Sequence, residues 1–455
     1  MSVSDSFKRF GMNRIYSYLR KDPINNMPKI MEWVDRTTPA DVFPSQKKAF
    51  REVVNNPENP YNILLQRVWK EVDPHVLETI FQNFLINANL IGWPKQEQER
   101  KDLDCNIPWA ILLDPTSACN LHCRGCWAAE YGNKLNLSFD EIDDIINQGK
   151  ELGIYMYIYT GSEPLVRKKD IIALCNKHND CAFMAFTNAT LIDEEFCQDM
   201  LRVGNFIPAI SAEGNRETTD SRRGEGTFDR IQTAMALLKS HHLPFGVSCC
   251  YTSENVRVIG SEEYMDQMIE WGAYFAWYFT YMPIGKNAVP ELMVEPEDRA
   301  WMYEQIHRLR YEKPFLTMDF WNDGEFVGGC IAGGRRYLHI NAKGDIDPCV
   351  FAHYSDSNIR EKTLLEAFQS PLFMAYRHNQ PFNDNMLRPC PILDNPGRLT
   401  AMVEETGAKS TDYEAPETAQ EYSDKCVPVA EKWAVKAAEL WDENPKSKFP
   451  NPNVG

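Results

Sequence analysis

Three cysteines lie close together in the segment Cys119-Asn-Leu-His-Cys123-Arg-Gly-Cys126. Cysteine thiolates are the usual ligands of iron–sulfur clusters, and this C-x3-C-x2-C spacing lets one short loop bind three irons of a 4Fe-4S cluster. The fourth iron would then have no protein ligand, and an open coordination position is typical of catalytic rather than structural metal sites. The loop therefore predicts a catalytic 4Fe-4S cluster bound by Cys119, Cys123 and Cys126.

The residues around this loop favour the cluster over two other uses of the cysteines. An apolar segment of strand type, residues 109–114, comes directly before the loop and ends at Pro115-Thr116-Ser117. A zinc knuckle would need a second pair of ligands nearby, and none follows for dozens of residues. A thioredoxin-type redox pair of Cys123 and Cys126 would leave Cys119 without a role. The cluster accounts for all three thiols.

This strand and loop resemble those of the radical S-adenosylmethionine (radical SAM) superfamily, whose cluster loop follows the first strand of a partial (β/α)6 barrel. The resemblance implies that a reduced cluster donates one electron to SAM, which splits into methionine and a 5′-deoxyadenosyl radical. That radical removes hydrogen from an unactivated C–H bond, while the protein positions the substrate and excludes water. The resemblance also implies an electron donor such as ferredoxin or flavodoxin.

The order of the predicted elements agrees with such a barrel. Between about residues 109 and 284, strand-like segments alternate with helix-like segments, which predicts a parallel sheet of six strands. A chain of 455 residues exceeds what one hydrophobic core usually supports, so further units are expected. We predict an α/β fold in four parts: an N-terminal helical extension (1–104), a radical SAM barrel (105–315), a C-terminal auxiliary-cluster domain (316–410), and a C-terminal helix and tail (411–455).

The N-terminal extension contains two amphipathic segments, around residues 27–34 and 76–85, with apolar residues at helical spacing. Gly92 is predicted to cap the second helix. One interpretation is a helical appendage packed on the barrel. The other is a substrate-access or membrane-surface element, which would give the protein a peripheral membrane contact.

Ligands of parallel α/β folds bind at the carboxyl ends of the strands. After the second predicted strand, Thr160-Gly-Ser-Glu-Pro resembles the G-G-E-P segment of the superfamily. The resemblance implies that Gly161, Ser162, Glu163 and Pro164 hold the ammonium group of SAM. Ser162 replaces the second glycine, a change that is tolerated if this position has a negative φ.

Two more strand ends resemble SAM-binding segments. Asn188 is the predicted polar contact in a stretch that resembles T-N-G-T-L-(I/L)-D, where Ala189 replaces the glycine. Ser211 and Glu213 resemble the pair that binds the ribose hydroxyls. Residues two apart on a strand point to the same side, so both could reach one sugar.

The carboxylate and the adenine of SAM also have predicted contacts. Arg222 and Arg223 begin a stretch that resembles R-G-x-G-T-F-D, and one of them is predicted to pair with the SAM carboxylate. A solvated basic pair is the alternative. Gly125 stands where the superfamily often has an aromatic residue beside the adenine, so Trp127 is predicted to supply that surface. Tyr281 ends the sixth strand, where the adenine would lie.

A second cluster is predicted beyond the barrel. The spacing from Cys330 through a glycine to Cys349 resembles the opening of SPASM and twitch domains, and residues 336–350 read as strand, turn and strand. The C-x2-C-x5-C-x3-C continuation of a full SPASM domain is missing, so we expect one auxiliary 4Fe-4S cluster at most. Its implied ligands are Cys330, Cys349 and Cys390. Cys426 is the candidate for the fourth, with an ordinary buried thiol as the alternative.

Bulk properties exclude some classes of function. The formal net charge of −17 argues against binding nucleic acid or an anionic membrane by bulk electrostatics, because both require clustered positive charge. The start of the chain has no apolar signal segment. The sequence also contains no uninterrupted run of about 18 apolar residues, the length that a membrane-spanning helix needs. A cytoplasmic protein is therefore expected, with free thiols rather than disulfides among its thirteen cysteines.

The substrate is predicted only as a class. The truncated auxiliary module and the apolar N-terminal helices favour a lipid-like or other apolar small molecule. A peptide or protein maturase of the SPASM type, such as a sulfatase-maturing enzyme, is the alternative within the superfamily. A non-catalytic iron–sulfur electron carrier is the alternative from another class, but it would leave Glu163, Ser211 and Glu213 without a role.

Overall fold

The N-terminal hundred residues form a group of helices. The computed structural model describes residues 3–37, 44–285 and 287–443. Two of the early helices have prolines in their first turn after capping residues Asn59 and Asp73, whose side chains accept backbone N–H groups. The helices are α1 (Val3–Leu19), α2 (Pro23–Thr37), α3 (Pro44–Asn55), α4 (Pro60–Glu71), α5 (Pro74–Ile80), a π-helix (Phe81–Gly92) and α6 (Trp93–Asp102).

The predicted glycine cap at residue 92 is wrong. Gly92 has φ −67° and continues the π-helix into α6 without interruption. A Cβ at this position would collide with the carbonyl oxygen of Gly153. Gly92 therefore permits a close approach of the helix to the barrel.

The barrel region is a parallel sheet wound with helices, as predicted. Its strands are β1 (Ala110–Leu113), β2 (Met156–Tyr159), β3 (Ala182–Thr187), β4 (Phe206–Ser211), β5 (Gly246–Tyr251), β6 (Phe275–Thr280) and β7 (Leu316–Asp319). The helices between them are α7 (Phe139–Glu151), α8 (Lys168–Lys177), α9 (Glu194–Val203), α10 (Arg216–Arg223), α11 (Thr227–Ser240), α12 (Val256–Ile259), α13 (Glu262–Trp271) and α14 (Pro296–Glu312). Ser138 and Glu141 form a capping box at the start of α7.

The sheet extends beyond the six predicted strands at both edges. Its order is β7-β6-β5-β4-β3-β2-β1-β8-β9, where β8 (Tyr337–Ile340) and β9 (Ile346–Asp347) form the predicted hairpin. β8 pairs in parallel with β1, from Ala110 opposite Tyr337 to Leu113 opposite Ile340. The auxiliary hairpin is thus an additional edge of the barrel sheet.

Alternate residues of each strand face different cores. Ile111 and Tyr157 pack with the surrounding helices, whereas Leu112 and Ile158 belong to a second core inside the curved sheet. This alternation follows from the two-residue period of a strand. It gives the inside of the partial barrel an apolar wall.

The remaining chain wraps the auxiliary region and returns to the barrel. Its elements are α15 (Gly324–Val327), β10 (Tyr354–Ser355), α16 (Leu364–Phe368), α17 (Pro371–Asn379), α18 (Arg398–Thr406), β11 (Lys409–Ser410) and α19 (Ala419–Glu443). Trp433 and Ala437 of α19 pack on Ala300 and Tyr303 of α14. The tail predicted after α19 lies outside the described residues.

Candidate active site and auxiliary cluster site

The cysteine loop lies at the carboxyl ends of the barrel strands, between β1 and a 3-10 helix, Trp127–Tyr131. Cys119, Cys123 and Cys126 all line one cavity of about 230 Å³, whose wall also includes side chains from β2 to β6. The backbone N–H of Arg124 donates to the carbonyl of Arg222 (2.9 Å), which ties the loop to α10. The structure thus brings the three predicted cluster ligands to one cavity, hereafter the main cavity.

Burial favours the neutral form of two thiols of this loop, Cys119 and Cys126. Burial raises the pKa of Cys119 to about 11 and also raises the pKa of Cys126. The backbone N–H of Leu121 donates to Cys119 Sγ (3.4 Å), a contact that also favours a metal-bound thiolate. Iron must therefore displace protons from this loop when it binds.

The three thiols of the loop line one cavity. Among the described residues, no group of three or more His, Cys, Asp or Glu side chains could hold a single ion. The ligands of a 4Fe-4S cluster bind different irons and do not converge on one point. Three cysteines around an open cavity fit that requirement.

Gly125 and Tyr281 together explain the missing aromatic residue in the loop. Gly125 has φ +66°, and a Cβ there would lie 2.7 Å from Cε2 of Tyr281. Tyr281 is buried, lines the main cavity and accepts the backbone N–H of Val289 through its hydroxyl (2.9 Å). Trp127 lines the same cavity. Two aromatic side chains, Trp127 and Tyr281, are thus available beside the loop.

The segment after β2 reaches the main cavity through Gly161 and Ser162. Gly161 has φ +89°, and a Cβ would lie 2.5 Å from Cγ of Asp114, so both the backbone conformation and the space require glycine. Ser162 is not among the described residues with positive φ, so the condition for its replacement of glycine is met.

Glu163 and Pro164 do not line the main cavity, which differs from their predicted contact with the SAM ammonium group. The Glu163 carboxylate is fully buried and accepts the N–H groups of Leu165 (2.9 Å) and Asn188 (2.7 Å) and the hydroxyl of Thr187 (2.7 Å). These bonds join the ends of β2 and β3. Glu163 therefore fixes the relative position of the strand ends, and its contact with the SAM ammonium group stays a prediction.

Asn188 lines the main cavity, as expected for a polar contact. Its side-chain amide donates to Oδ1 of Asn120 (2.9 Å) and lies 4.0 Å from Cys119 Sγ. Ala189 has φ +61°, so it adopts the left-handed conformation that a glycine would favour. Asn188 is thus held against the cysteine loop.

Ser211 and Glu213 do not share a face. Ser211 lines the main cavity, whereas Glu213 is fully buried behind it. Glu213 Oε1 accepts N–H groups of Arg222 (2.7 Å) and Arg223 (2.8 and 2.5 Å). Because β4 ends at Ser211, strand alternation does not extend to residue 213. Oε1 of Glu213 thus forms an ion pair with both arginines, whereas its Oε2 is buried with no hydrogen-bond partner among the described residues, and the ribose contact stays a prediction.

The two arginines line the main cavity and are not a solvated pair. Their side chains are 13% exposed, and Nη1 of Arg223 lies 4.0 Å from Cys123 Sγ. Two guanidinium groups share one carboxylate, so one positive charge is left uncompensated within this cluster. That charge faces the loop thiols and suits an anion in the cavity.

Three of the predicted auxiliary ligands also come together. Cys330, Cys349 and Cys390 line a second cavity of about 40 Å³. Cys349 Sγ lies 2.8 Å from the hydroxyl of Tyr337 and accepts the N–H of Phe351 (3.4 Å). Burial raises the pKa of each of the three thiols to about 12.

Backbone N–H groups donate hydrogen bonds to cysteine sulfurs at both cluster sites. The N–H groups of Ile392 and Leu393 donate to Cys390 Sγ (3.4 Å each), as Leu121 does to Cys119. Hydrogen bonds to the sulfurs are a recurring feature of iron–sulfur sites. The second cavity therefore fits an auxiliary cluster held by Cys330, Cys349 and Cys390.

Cys426 does not line the second cavity. It is fully buried on α19, and burial, then the nearby Cys390, raises its pKa well above the ordinary value. It lies near Cys390 but outside the wall of the second cavity.

Some site residues were not predicted from the sequence. Trp109 and Arg336 line the main cavity, and His339 is buried between Asp114 and Asp347. His339 Nε2 lies 2.9 Å from Asp114 Oδ1 as an ion pair rather than an aligned hydrogen bond. Burial alone would lower the pKa of His339, but the two carboxylates raise it to about 9. Strand alternation could have suggested which residues share a face, but not the pairing of β8 with β1.

Comparison with known families agrees with this geometry. Residues 113–258 match the radical SAM superfamily, and residues 330–391 match the iron–sulfur cluster-binding domain named SPASM. The protein is therefore a radical SAM enzyme that carries a SPASM-type auxiliary domain, as the resemblance of its motifs implied. The cofactors of such a protein are SAM, the 4Fe-4S cluster that binds it, and auxiliary iron–sulfur clusters. The SPASM match includes Cys330, Cys349 and Cys390 but ends before Cys426.

Curated relatives and solved structures extend this assignment. An AdoMet-dependent heme synthase of Methanosarcina barkeri is 25% identical over 295 residues, which are 58% of this chain and 83% of the relative. The mycofactocin maturase MftC of Mycolicibacterium smegmatis is 25% identical over 276 residues, 56% of this chain and 67% of the relative. The crystal structure of Streptococcus suis SuiB bound to S-adenosylmethionine aligns with a TM-score of 0.56 at 18% identity. It covers 72% of this chain and 81% of SuiB, and supports the predicted fold.

Proposed function

We propose that the protein removes hydrogen from an unactivated C–H bond of a lipid-like or other apolar substrate held in the main cavity. One observation carries this proposal: the cavity that begins at the cysteine loop continues between apolar side chains. Among the described residues, no Asp or Glu lines it. Its apolar and aromatic wall includes Leu112, Ile158, Phe186, Trp277, Phe279, Phe320 and Phe351.

The residues at the strand ends supply the cofactor contacts in this proposal. Cys119, Cys123 and Cys126 would hold three irons, and Gly161, Ser162, Asn188 and Ser211 would contact SAM. When bound, the cluster and SAM supply a carbon radical that can remove hydrogen from an unactivated C–H bond. The apolar wall excludes water from that radical.

The arginines beside the loop stabilise negative charge. Arg222 and Arg223 are held by Glu213, so their orientation is fixed before any ligand binds. Their uncompensated positive charge favours the thiolate form of the nearby cysteines and a carboxylate in the cavity. We therefore assign the SAM carboxylate to one of these arginines.

The auxiliary site is proposed to hold a second cluster through Cys330, Cys349 and Cys390. Phe320, Ile331, Tyr337 and Phe351 line both cavities, so the walls of the two sites are shared. This closeness supports a role of the second cluster in electron transfer to or from the substrate, with an external donor such as ferredoxin or flavodoxin.

Iron and SAM assays test the proposal. Anaerobically reconstituted protein should contain about eight irons, two cubes under this ligation. Changing Cys119, Cys123 and Cys126 together to alanine should remove about half. Cys197→Ala, a buried thiol on α9, is the matched control and should leave the iron content unchanged.

With SAM and a strong reductant, the native protein should also release 5′-deoxyadenosine without substrate. Zinc in place of iron, or iron content unaffected by the triple change, would contradict the cluster. Two intact clusters without 5′-deoxyadenosine would favour the electron carrier instead.

A peptide or protein substrate is the second candidate, and the relatives favour it. MftC is a maturase, and another relative, from Gluconobacter oxydans, is a PqqA peptide cyclase that is 23% identical over 304 residues, 62% of this chain and 82% of the relative. Stimulation of 5′-deoxyadenosine formation discriminates the two candidates. An organic extract of the source cells should stimulate it if the substrate is apolar, and the aqueous peptide fraction should do so if it is a peptide.

The N-terminal helices are proposed to contact an anionic membrane surface. Residues 10–36 and 47–72 contain ten Lys and Arg but six Asp and Glu, in a chain of net charge −17. Phe10 and Ile24 on these helices are largely exposed. No helix in the described part of the chain has the length and apolarity needed to cross a membrane. A surface contact therefore requires the helices to lie against the bilayer.

Sedimentation with vesicles tests the membrane contact. The double variant Phe10→Ser and Ile24→Ser should bind vesicles of anionic phospholipid more weakly than the native protein. Val435→Ser, an exposed apolar residue on α19, is the control and should bind like the native protein. Equal binding of vesicles by all three proteins would contradict the proposed membrane contact.

A further inference from the structure

The main cavity has a second end, at the start of β1. Trp109 and Arg336 line this end, and the N–H groups of Trp109 and Ala110 both donate to the carbonyl of Arg336 (2.8 and 3.0 Å). A strand rises about 3.3 Å per residue, so Trp109 lies roughly 16 Å from Asp114, where the cysteine loop begins. This end of the cavity is therefore distinct from the SAM site.

Trp109 presents an unused hydrogen-bond donor at this end. Its Nε1 is buried and has no hydrogen-bond partner among the described residues. An indole N–H is a donor only, and a buried donor without an acceptor destabilises the protein. A ligand oxygen in the cavity would satisfy it.

Arg336 contributes a cation that is poorly compensated. Its Nη1 donates long hydrogen bonds to Glu97 (3.4 Å) and to the carbonyl of Arg335 (3.3 Å), and its guanidinium lies 4.4 Å from the ring centroid of Trp93. The Glu97 carboxylate also pairs with Arg100. Arg335 is a third cation nearby and donates to the carbonyls of Gly328 (3.0 Å) and Cys330 (2.9 Å). The carbonyls occupy donors of Arg335 without neutralising its charge.

The charges of this group confirm the imbalance. Two guanidinium groups, those of Arg100 and Arg336, share one carboxylate, Glu97. Burial, and then repulsion from Arg336, lowers the pKa of Arg100 to about 10. Burial lowers the pKa of Arg336 as well. An added anion would therefore be stabilised here.

We propose that Trp109 Nε1 and Arg336 form a binding subsite for the anionic head, a carboxylate or phosphate, of a substrate whose apolar body fills the main cavity. The subsite rests on the proposed function, because it assumes that this cavity holds the substrate. It narrows the substrate class to an amphiphile with one anionic end. The head binds at the start of β1, and the apolar body extends toward the cysteine loop.

Binding of three matched probes tests the subsite. Decanoate, decyl phosphate and 1-decanol have the same alkyl chain and differ in the head group. Calorimetric titration of the reconstituted protein should give at least tenfold tighter binding for one or both anions than for decanol. Preference for decanoate identifies a carboxylate head, and preference for decyl phosphate a phosphate head.

Variants of the subsite residues test whether these residues cause the preference for anionic probes. Arg336→Gln should reduce the anion preference to less than threefold, and Trp109→Phe, which keeps the ring but removes the donor, should weaken it at least threefold. Trp277→Phe alters the same apolar wall without touching the subsite. It should weaken all three probes alike and keep the preference. Arg336→Lys should retain part of the preference, which separates loss of charge from loss of folding.

Two results would overturn the subsite: equal binding of the three probes by the native protein, or an anion preference that survives both Arg336→Gln and Trp109→Phe. Failure of the proposed function is measured separately. If the native protein forms no 5′-deoxyadenosine from SAM, the proposed radical chemistry is contradicted, independently of how the three probes bind.

Discussion

Glu213→Gln is expected to destabilise the protein far more than the loss of an ordinary surface ion pair. Glu213 is fully buried, and three N–H groups from Arg222 and Arg223 converge on its Oε1. Glutamine preserves the shape but removes the charge, which leaves two adjacent buried cations without a counterion. Removing one partner of a buried ion pair typically costs about 3–5 kcal/mol.

Glu254 provides the matched control. It pairs with Arg124 at 2.7 Å, but the two side chains are 51% and 44% exposed. Exposed pairs are worth about 0–1 kcal/mol because water screens them. Glu254→Gln should therefore lower the free energy of unfolding by a fraction of the Glu213→Gln effect, although the two pairs have similar lengths.

Urea unfolding of the metal-free, reduced protein measures the difference. The free-energy change follows from the midpoint and the slope of the transition, with tryptophan fluorescence as the signal. Adding Arg223→Gln to Glu213→Gln should restore part of the stability, since one buried cation is then removed. The reasoning is refuted if Glu213→Gln and Glu254→Gln shift the midpoint equally, or if the second change lowers stability further by the full effect of a lost buried pair.

Three further outcomes are expected. Gly161→Ala should weaken SAM binding at least tenfold in equilibrium dialysis, because it adds a collision to an unfavourable φ; Gly226→Ala, with φ +77° but open space around it, is the control for strain alone. Because the pKa of His339 is raised to about 9, its contribution to stability is complete below its unfolded pKa of about 6.5 and is lost as the pH rises through 9. The fall in thermal midpoint of metal-free protein between about pH 7 and 8.5 should therefore be smaller in His339→Gln; an unchanged slope contradicts this. Cys349→Ala should remove about four irons and abolish product formation, while release of 5′-deoxyadenosine continues. Cys426→Ala should keep the auxiliary iron. Loss of the auxiliary iron from Cys426→Ala would instead make Cys426 a cluster ligand.

The elements of the barrel were predictable because their signals are local. The strands β1 to β6 all lie between residues 109 and 284, where the sequence predicts a parallel sheet of six strands, and a capping box at Ser138 begins α7. Short apolar runs between capped amphipathic helices define such elements without tertiary information. The cysteine loop was equally predictable, since its three ligands lie within eight residues.

The sequence did not predict where the side chains of Glu163 and Glu213 lie relative to the main cavity. Motif resemblance identified Glu163 and Glu213 as functional positions, but both carboxylates are buried behind the cavity wall. Whether a carboxylate faces a ligand depends on the partners that compete for it. For Glu163 these are N–H groups at the end of β3, and for Glu213 they are two arginines from α10. Sequence spacing does not reveal that competition.

The pairing of β8 with β1 was the other unpredictable feature, and it determines how the two sites relate. More than two hundred residues separate these strands, so no local pattern encodes their contact. The pairing places Arg336 at the amino end of β1 and Tyr337, whose hydroxyl contacts Cys349 Sγ, directly after it. Arg336, directly before β8, and Tyr337, its first residue, are thus neighbours in the sequence that contact the proposed substrate head and an auxiliary ligand. A substrate bound to Arg336 would therefore lie against the wall of the auxiliary site, because Tyr337 lines both cavities.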